Sequence, residues 1–419
     1  MNENPFEMFS TPEDYASWDR YDEQVDKIDL PTTDRQRVRS GLRYFRSLMG
    51  DNFLKETVRT GHPFTSMLTN AAPRERIYLA ELAEHLRAFE TAENFQSLKD
   101  RIASHDPDTF AEGLSVLEIA QRLESAGFSV SFDPKVFVTQ KSGEVRSKFP
   151  DLKIRDENTL EDVFVEVSRL LVGEAQRKGR RTFQALFNIW DSLTWQYRTE
   201  NSAEHPFGKS ILPNIKFHRS MTDEELETLA KALNELGSLV LGTNSFAALS
   251  IANVVDVGIA PPFDHAAVHE WSKERDLKHP PVEGPPIETD EVERAIRKIF
   301  DDNDKTAKKW QIPDDGPGVV VLDTNKNLIL FTHDIRYVIS ALEQSLLNEP
   351  KLNYIVLTLT FTSFEAAGTV LKGIGNHAIV RNSKTDGSIE YAVIIHNERC
   401  KIPLSKETAE RIVRAFGSR

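Results

Sequence analysis

The chain has 419 residues, of which 39% are hydrophobic and one is a cysteine, and it carries a formal net charge of −13. That length leaves room for two or three domains with ordinary cores, while the lone thiol, Cys400, excludes an internal disulfide framework and every thiolate zinc cage, so that a bound metal would be held by oxygen or imidazole. The acidic balance excludes a protein that coats nucleic acid through its overall charge, and no apolar run reaches the about 18 residues of a membrane span; with a start, MNENPFEMFSTPEDY, that lacks a leader's basic and apolar regions, a cytoplasmic location is expected.

Residues 1 to 105 read as helical, with apolar positions three and four apart in TTDRQRVRSGLRYFRSLMG, RERIYLAELAEHLRAFE and NFQSLKDRIASHD, and they are expected to form an α-helical N-terminal domain that offers a surface to a protein partner. A second block, 106 to 170, begins with an amphipathic helix, PDTFAEGLSVLEIAQRLESAGF, whose apolar arc includes Phe110, Leu114, Leu117, Ala120 and Leu123 and which Gly127 is placed to end. FSVSFD then alternates strictly, so Phe128, Val130 and Phe132 share a face. The chain passes through KVFVTQ and a turn at KSGE into a hairpin, FPDLKIRDENTLEDVFVEVSRL.

Residues 171 to 286 carry mixed signals and read as an insertion or subdomain. NIKFHRS, SLVLG and VVDVGIA look like strands, TDEELETLAKALNELG is a capped helix, and HPPVEGPPIETD is a connector. At its start Arg177, Lys178, Arg180 and Arg181 concentrate four cations in six residues, a patch that can contact phosphates or can simply be a solvated helix start. From 287 to 419 the pattern is α/β. Asp290 and Glu293 suggest a capping box for a helix running toward KTAKKWQ, GVVVLD is a strand buried on both faces, and DIRYVISALEQSLL, YIVLTLTFT, HAIVRN, IEYAVIIHN and SKETAERIVRAF alternate helix and strand.

The hairpin raises the chemical question. With Asn158-Thr159 as the tip of a two-residue loop, Asp151 falls opposite Glu166. Carboxylates so paired lie roughly 5 Å apart at Cβ and repel unless a cation sits between them. Mg²⁺ or Mn²⁺ suits such a pair, because hard ions of this kind are held through one or two carboxylates with water and phosphate completing the shell. Glu118, at the border of the helix's apolar arc, is a candidate third acid. The competing reading is a wet sheet face that carries two ordinary acids.

The helix with Glu118, then Pro150-Asp151, then Glu166-Val167-Ser168 resembles the PD-(D/E)XK, or restriction-endonuclease-like, nuclease superfamily. The resemblance implies a mixed sheet flanked by helices, in the order helix, three strands, helix, strand, with 109 to 170 as the first part and 289 to 323 as the rest. It implies acids that bind Mg²⁺ for phosphodiester cleavage, nucleic acid, foremost DNA, as substrate, and a role in restriction, phage defence or repair. One position departs: Ser168 stands where the superfamily has its lysine. The superfamily is similar in tolerating a lysine from elsewhere, and here the candidates are Lys308 with Gln311, or Lys153. Ser168 equally supports an inactive nuclease-fold protein that binds nucleic acid or assembles with a partner, and self-association stays open.

Other constellations are weaker. Asp264-His265 with His269-Glu270 spaces two imidazoles one helical turn apart. GTNSFAAL is no nucleophile elbow, there is no Walker-type GxxxxGK[ST], and KGIGNH lacks a third glycine.

Overall fold

A computed structural model describes residues 9, 12–58, 62–140, 142–169, 212–219, 221–260, 265–276, 282–283, 291–301, 307–324, 335–361, 378–383 and 389–417. The helical periodicity of the first third folds as α1 (Pro12–Tyr15), α2 (Trp18–Gln24), α3 (Thr32–Met49), α4 (Phe53–Thr57), α5 (Pro63–Thr69), α6 (Pro73–Ala88), α7 (Phe95–Ile102) and α8 (Pro107–Ser125). The start of α8 is fixed by Asp106, whose carboxylate accepts the Thr109 N–H at 2.9 Å, and by Pro107 in the first turn. Its end is fixed by Gly127 at φ +93°, a conformation that costs glycine little. Burying Phe110, Leu117 and Leu123 contributes roughly 2 kcal/mol each.

The strands that follow are β1 (Phe128–Phe132), β2 (Val136–Thr139), β3 (Val145–Lys148), β4 (Leu152–Asp156) and β5 (Glu161–Arg169). The stretch between β1 and β4, read as a passage through KVFVTQ and a turn at KSGE, is a separate two-stranded hairpin of β2 and β3. Later come β6 (Leu212–Phe217), β7 (Ala247–Ile251), β8 (Val255–Ala260), β9 (Val282–Glu283), β10 (Gly318–Asp323), β11 (Leu352–Phe361), β12 (Ala378–Ser383) and β13 (Ile389–His396).

The chain divides into two compact units, Met1–Leu171 with Glu291–Arg419, and Val172–Asp290. In the first, seven strands form a mixed sheet in the order β1-β4-β5-β10-β11-β13-β12. β1, β4 and β5 run as an antiparallel meander, β5, β10 and β11 are parallel, and β13 and β12 return antiparallel. One face, with Val163, Val165, Val167, Val319 and Val321, shares a core with the N-terminal helices, α8 and the last helix, Lys406–Ala415. The other face, with Val320, Leu322, Ile355 and Leu357, is covered by the helices Glu291–Phe300 and Ile335–Leu346. The N-terminal helices, expected as a domain of their own, are therefore one layer of this unit, because apolar side chains from Phe9 to Ile102 join those of the sheet in a single cluster.

In the second unit the strands run β7-β8-β6-β9, packed on the helix Asp223–Thr243. Thr222 and Glu225 form its capping box. SLVLG, expected as a strand, is the last part of this helix: Val240 is buried and Leu239 exposed, one side in and the next out as the helix turns. A short apolar run has no period of its own by which to tell the two apart.

Candidate metal and catalytic site

The β4–β5 hairpin carries the site, and its register is the expected one: Leu152 pairs with Val165 and Ile154 with Val163, which continues to Asp151 opposite Glu166. The connection is longer than expected. Glu157 to Leu160 form a four-residue turn closed by Leu160 N–H to the Asp156 carbonyl at 2.7 Å, and the Asp156 carboxylate accepts the Asn158 N–H at 2.9 Å. Because this turn is centred on the same two residues, the strands pair as a two-residue loop would have paired them.

Asp151 and Glu166 are buried, 9% and 3% exposed. Glu166 accepts the Asp151 N–H at 3.1 Å, and Asp151 accepts the Val167 N–H at 2.9 Å, so each side chain closes a backbone bond of the other's strand. Two cations from the chain complete the cluster. Lys308 Nζ lies 2.5 Å from Glu166 Oε1, and Arg101 Nη1, from α7, lies 2.6 Å from Asp151 Oδ1. Arg101 also pairs with Asp133, which in turn accepts the Ser97 hydroxyl. Gly113 of α8 lets α7 approach: a Cβ there would meet Arg101 Cβ at 3.0 Å and Ile102 Cδ1 at 3.1 Å.

Lys308 comes from a 3₁₀ turn, Lys308–Gln311, and not from a continuation of the helix that ends at Phe300. The turn is held against β5 by the loop that follows. The Pro317 carbonyl accepts the Phe164 N–H at 3.0 Å, and a Cβ on Gly316 would fall 2.4 Å from the Phe164 ring, so only glycine fits. Among the described residues Gln311 makes no hydrogen bond to either acid. Lys153 turns to the flank of the hairpin, 4.0 Å from Asp162.

Electrostatics follow from burial. Desolvation first, and the neighbouring Asp151 second, push the Glu166 carboxyl up to about 8 against the pull of Lys308. For Lys308 burial works in the opposite sense, yet Glu166 and Asp151 outweigh it and its pKa is raised, with Glu112 of α8 adding to the effect. Arg101 is likewise held charged: Asp151 and Asp133 outweigh its burial.

Glu118 does not join this cluster. It accepts the Tyr78 hydroxyl of α6 at 2.8 Å, about one helical turn after Ser115, whose hydroxyl donates to Asp323 at 2.6 Å. Glu118 is engaged by α6, nearly two turns along α8 from Glu112, whose charge does reach Lys308. The helix acid felt by the site is Glu112, and its only signal in the sequence is its place beside Gly113. Ser168 is 1% exposed, and its hydroxyl has no partner among the described residues.

Asp151 and Glu166 offer hard oxygen donors. Each of their four oxygens accepts one hydrogen bond here, and each has a second lone pair. Among the described residues no group of three or more carboxylates, imidazoles or thiols is arranged to hold a metal. Two carboxylates are the kind of donor through which a hard ion such as Mg²⁺ or Mn²⁺ can be held, with water and phosphate completing its shell. The rival His265 and His269 lie on the helix His265–Glu274, with His269 exposed and Asp264 outside the described residues. Arg177, Lys178, Arg180, Arg181 and the KGIGNH stretch also lie outside them. No helix among the described residues is long and apolar enough to cross a membrane. No protein family, curated protein or solved structure compared with the chain matches it.

Proposed function

We propose that the protein is a metal-dependent nuclease of the restriction-endonuclease-like type that hydrolyses phosphodiester bonds. The observation that carries the reading is the buried Asp151 and Glu166 pair with Lys308 at 2.5 Å, since a lysine delivered from a distant turn supplies the charge that Ser168 lacks. The sequence α8, then the meander β1, β4, β5, then a helix and the parallel strand β10, supports the fold that the resemblance implied. Mg²⁺ or Mn²⁺ held by Asp151 and Glu166 would stabilise charge at the phosphoryl group and lower the pKa of the attacking water.

The chain's own residues do the remainder. Lys308 draws the Glu166 carboxyl down against its burial and so eases its ionisation, and its other ammonium protons can orient water or a phosphate oxygen. Arg101 fixes the direction of the Asp151 carboxylate and offsets its negative charge. DNA is the foremost substrate, and restriction, phage defence or repair are the settings in which such an activity would serve.

The Arg101 to Asp151 pair also favours a second reading, an inactive nuclease-fold protein that binds nucleic acid, with the guanidinium in place of a metal charge. Incubation with supercoiled plasmid, single-stranded DNA and RNA, in Mg²⁺, Mn²⁺ or EDTA, separates the two. Cleavage lost in EDTA and in Glu166→Gln is the expected result. Intact substrates in every metal, from a protein that still binds them, would give the second reading precedence.

A further inference from the structure

Between β1 and β4 the chain leaves the large sheet and returns to the same point: the Asp133 N–H donates to the Asp151 carbonyl at 3.0 Å, closing the excursion on the very residue that carries the first acid. The excursion is the β2–β3 hairpin, which among the described residues pairs with no other strand. Its inner side chains, Val136 and Val138, are buried, but Phe137 is 63%, Val145 61% and Phe149 54% exposed. Among the described residues, Phe137 and Phe149 are the phenylalanines that rank as exposed large hydrophobics, and both lie on this short segment.

Charge points to what covers them. The segment from 135 to 149 holds Lys135, Lys141, Arg146 and Lys148 against Glu144 alone, in a chain of net charge −13. Lys135 lies 5.7 Å from the Phe137 ring centroid, and Arg146 pairs with Glu144 at 2.8 Å. Asp314, an acid from outside the segment, is engaged by the Thr139 N–H at 2.9 Å and by Lys351 at 3.6 Å. Flat apolar rings interleaved with cations match a polyanion that also presents flat faces, which is nucleic acid with unpaired bases; in a duplex those faces are stacked out of reach. Phe149 stands two residues, roughly 7 Å of extended chain, before Asp151.

Resting on the nuclease reading of Asp151 and Glu166, we infer that the β2–β3 hairpin is a platform for single-stranded nucleic acid, on which bases stack against Phe137 and Phe149 so that the backbone runs to the acids. The substrate class is therefore a strand with unpaired bases, either DNA or RNA.

Fluorescence anisotropy in EDTA, with labelled single-stranded DNA, single-stranded RNA and a duplex of equal length, tests this without cleavage. The full-length protein is expected to bind a single strand more tightly than the duplex. Phe137→Ala with Phe149→Ala should weaken single-strand binding on the order of 10- to 100-fold, and Lys135→Ala with Lys148→Ala should lower the salt dependence. Both phenylalanines are exposed, so thermal melts should stay at the wild-type value. Unchanged single-strand affinity in the double phenylalanine variant overturns the inference, as do equal affinity for the duplex and size-exclusion behaviour in which the exposed rings hold two copies together. Single-strand binding that depends on the two rings, from a protein that cuts nothing in any metal, leaves the platform standing and removes the nuclease. Metal-dependent cleavage indifferent to the rings does the reverse.

Discussion

Asp151 and Glu166 hold each other's strands: the Glu166 carboxylate accepts the Asp151 N–H at 3.1 Å, and the Asp151 carboxylate accepts the Val167 N–H at 2.9 Å. The acids that would do chemistry thus also replace ladder bonds at the open end of the hairpin, and chemistry and stability are coupled at these positions. Asp151→Asn keeps an oxygen for the Val167 N–H, whereas Asp151→Ala leaves that donor and the Arg101 guanidinium short of a partner. We expect Asp151→Ala to cost about 2 kcal/mol and Asp151→Asn clearly less, measured by urea midpoint. Equal losses would show that the backbone bond contributes nothing.

Lys308 has a different signature. For the proposed nuclease, Lys308→Met should lower cleavage by about 100-fold or more, because among the described residues Lys308 is the side chain that donates to Glu166 Oε1. Lys153→Met should leave the rate near wild type, since Lys153 is spent on Asp162. Single-turnover rates on one substrate decide this, and a larger loss from Lys153 would reverse the assignment.

For pH, Glu166 is protonated in the folded protein up to about 8, whereas in the unfolded chain it ionises near 4.5. Between those values the folded state binds the extra proton. This group's contribution therefore makes the protein less stable as pH rises through the window, and the loss is complete above about 8. A metal needs the ionised carboxylate, so Mn²⁺ affinity should climb from pH 6 to 8 with release of up to one proton per ion. Calorimetry in buffers of different ionisation enthalpy would show it; affinity independent of pH would remove Glu166 from the ligands.

Were a metal held at Asp151 as proposed, Arg101 would compete with it for that carboxylate. Arg101→Gln should destabilise the metal-free protein and raise the melting-temperature gain on adding Mn²⁺ above the wild-type gain. An unchanged gain would mean that the guanidinium and the ion do not contend for the same carboxylate.

His62 offers a second pH test, with hydrogen-bond partners that include neither acid. Its Nδ1 accepts the Phe64 N–H at 3.2 Å, its Nε2 lies 3.1 Å from the Ser104 carbonyl, and burial lowers its pKa. The unfolded chain takes up the proton first as pH falls below about 6.5. Stability should therefore decline on acidification from that point, and His62→Gln should flatten this part of a pH-dependent melting curve.

The sequence announces the hairpin and its register because alternation and a symmetric turn constrain the pairing of Leu152 with Val165 whatever the loop's length. It announces Lys308 only as one of two candidate lysines, because a turn 142 residues away along the chain meets Glu166 through tertiary packing alone. Arg101 and Asp133 carry no local pattern: they come together because Gly113 lets α7 settle on α8. Glu118 misleads for a related reason. Helical phase puts it at the border of the apolar arc, but the partner it meets there, Tyr78 of α6, is decided by tertiary packing.

The strands β5 and β10, parallel neighbours in the sheet, are separated by the entire unit Val172–Asp290, and Lys298 Nζ bonds the Arg169 carbonyl at 2.7 Å beside the point where that unit departs and returns. Folding must therefore close a very long loop before the central strands can meet, a slow step in any chain. The thermodynamic toll is mild, because loop-closure entropy grows by only about 0.6 kcal/mol for each doubling of length. A chain in which a short flexible linker joins residues 171 and 291 should fold faster while its equilibrium stability rises by only about 2 kcal/mol. The ion pair of Glu166 with Lys308 then becomes a kinetic marker, formed only when the two halves of the sheet have found each other.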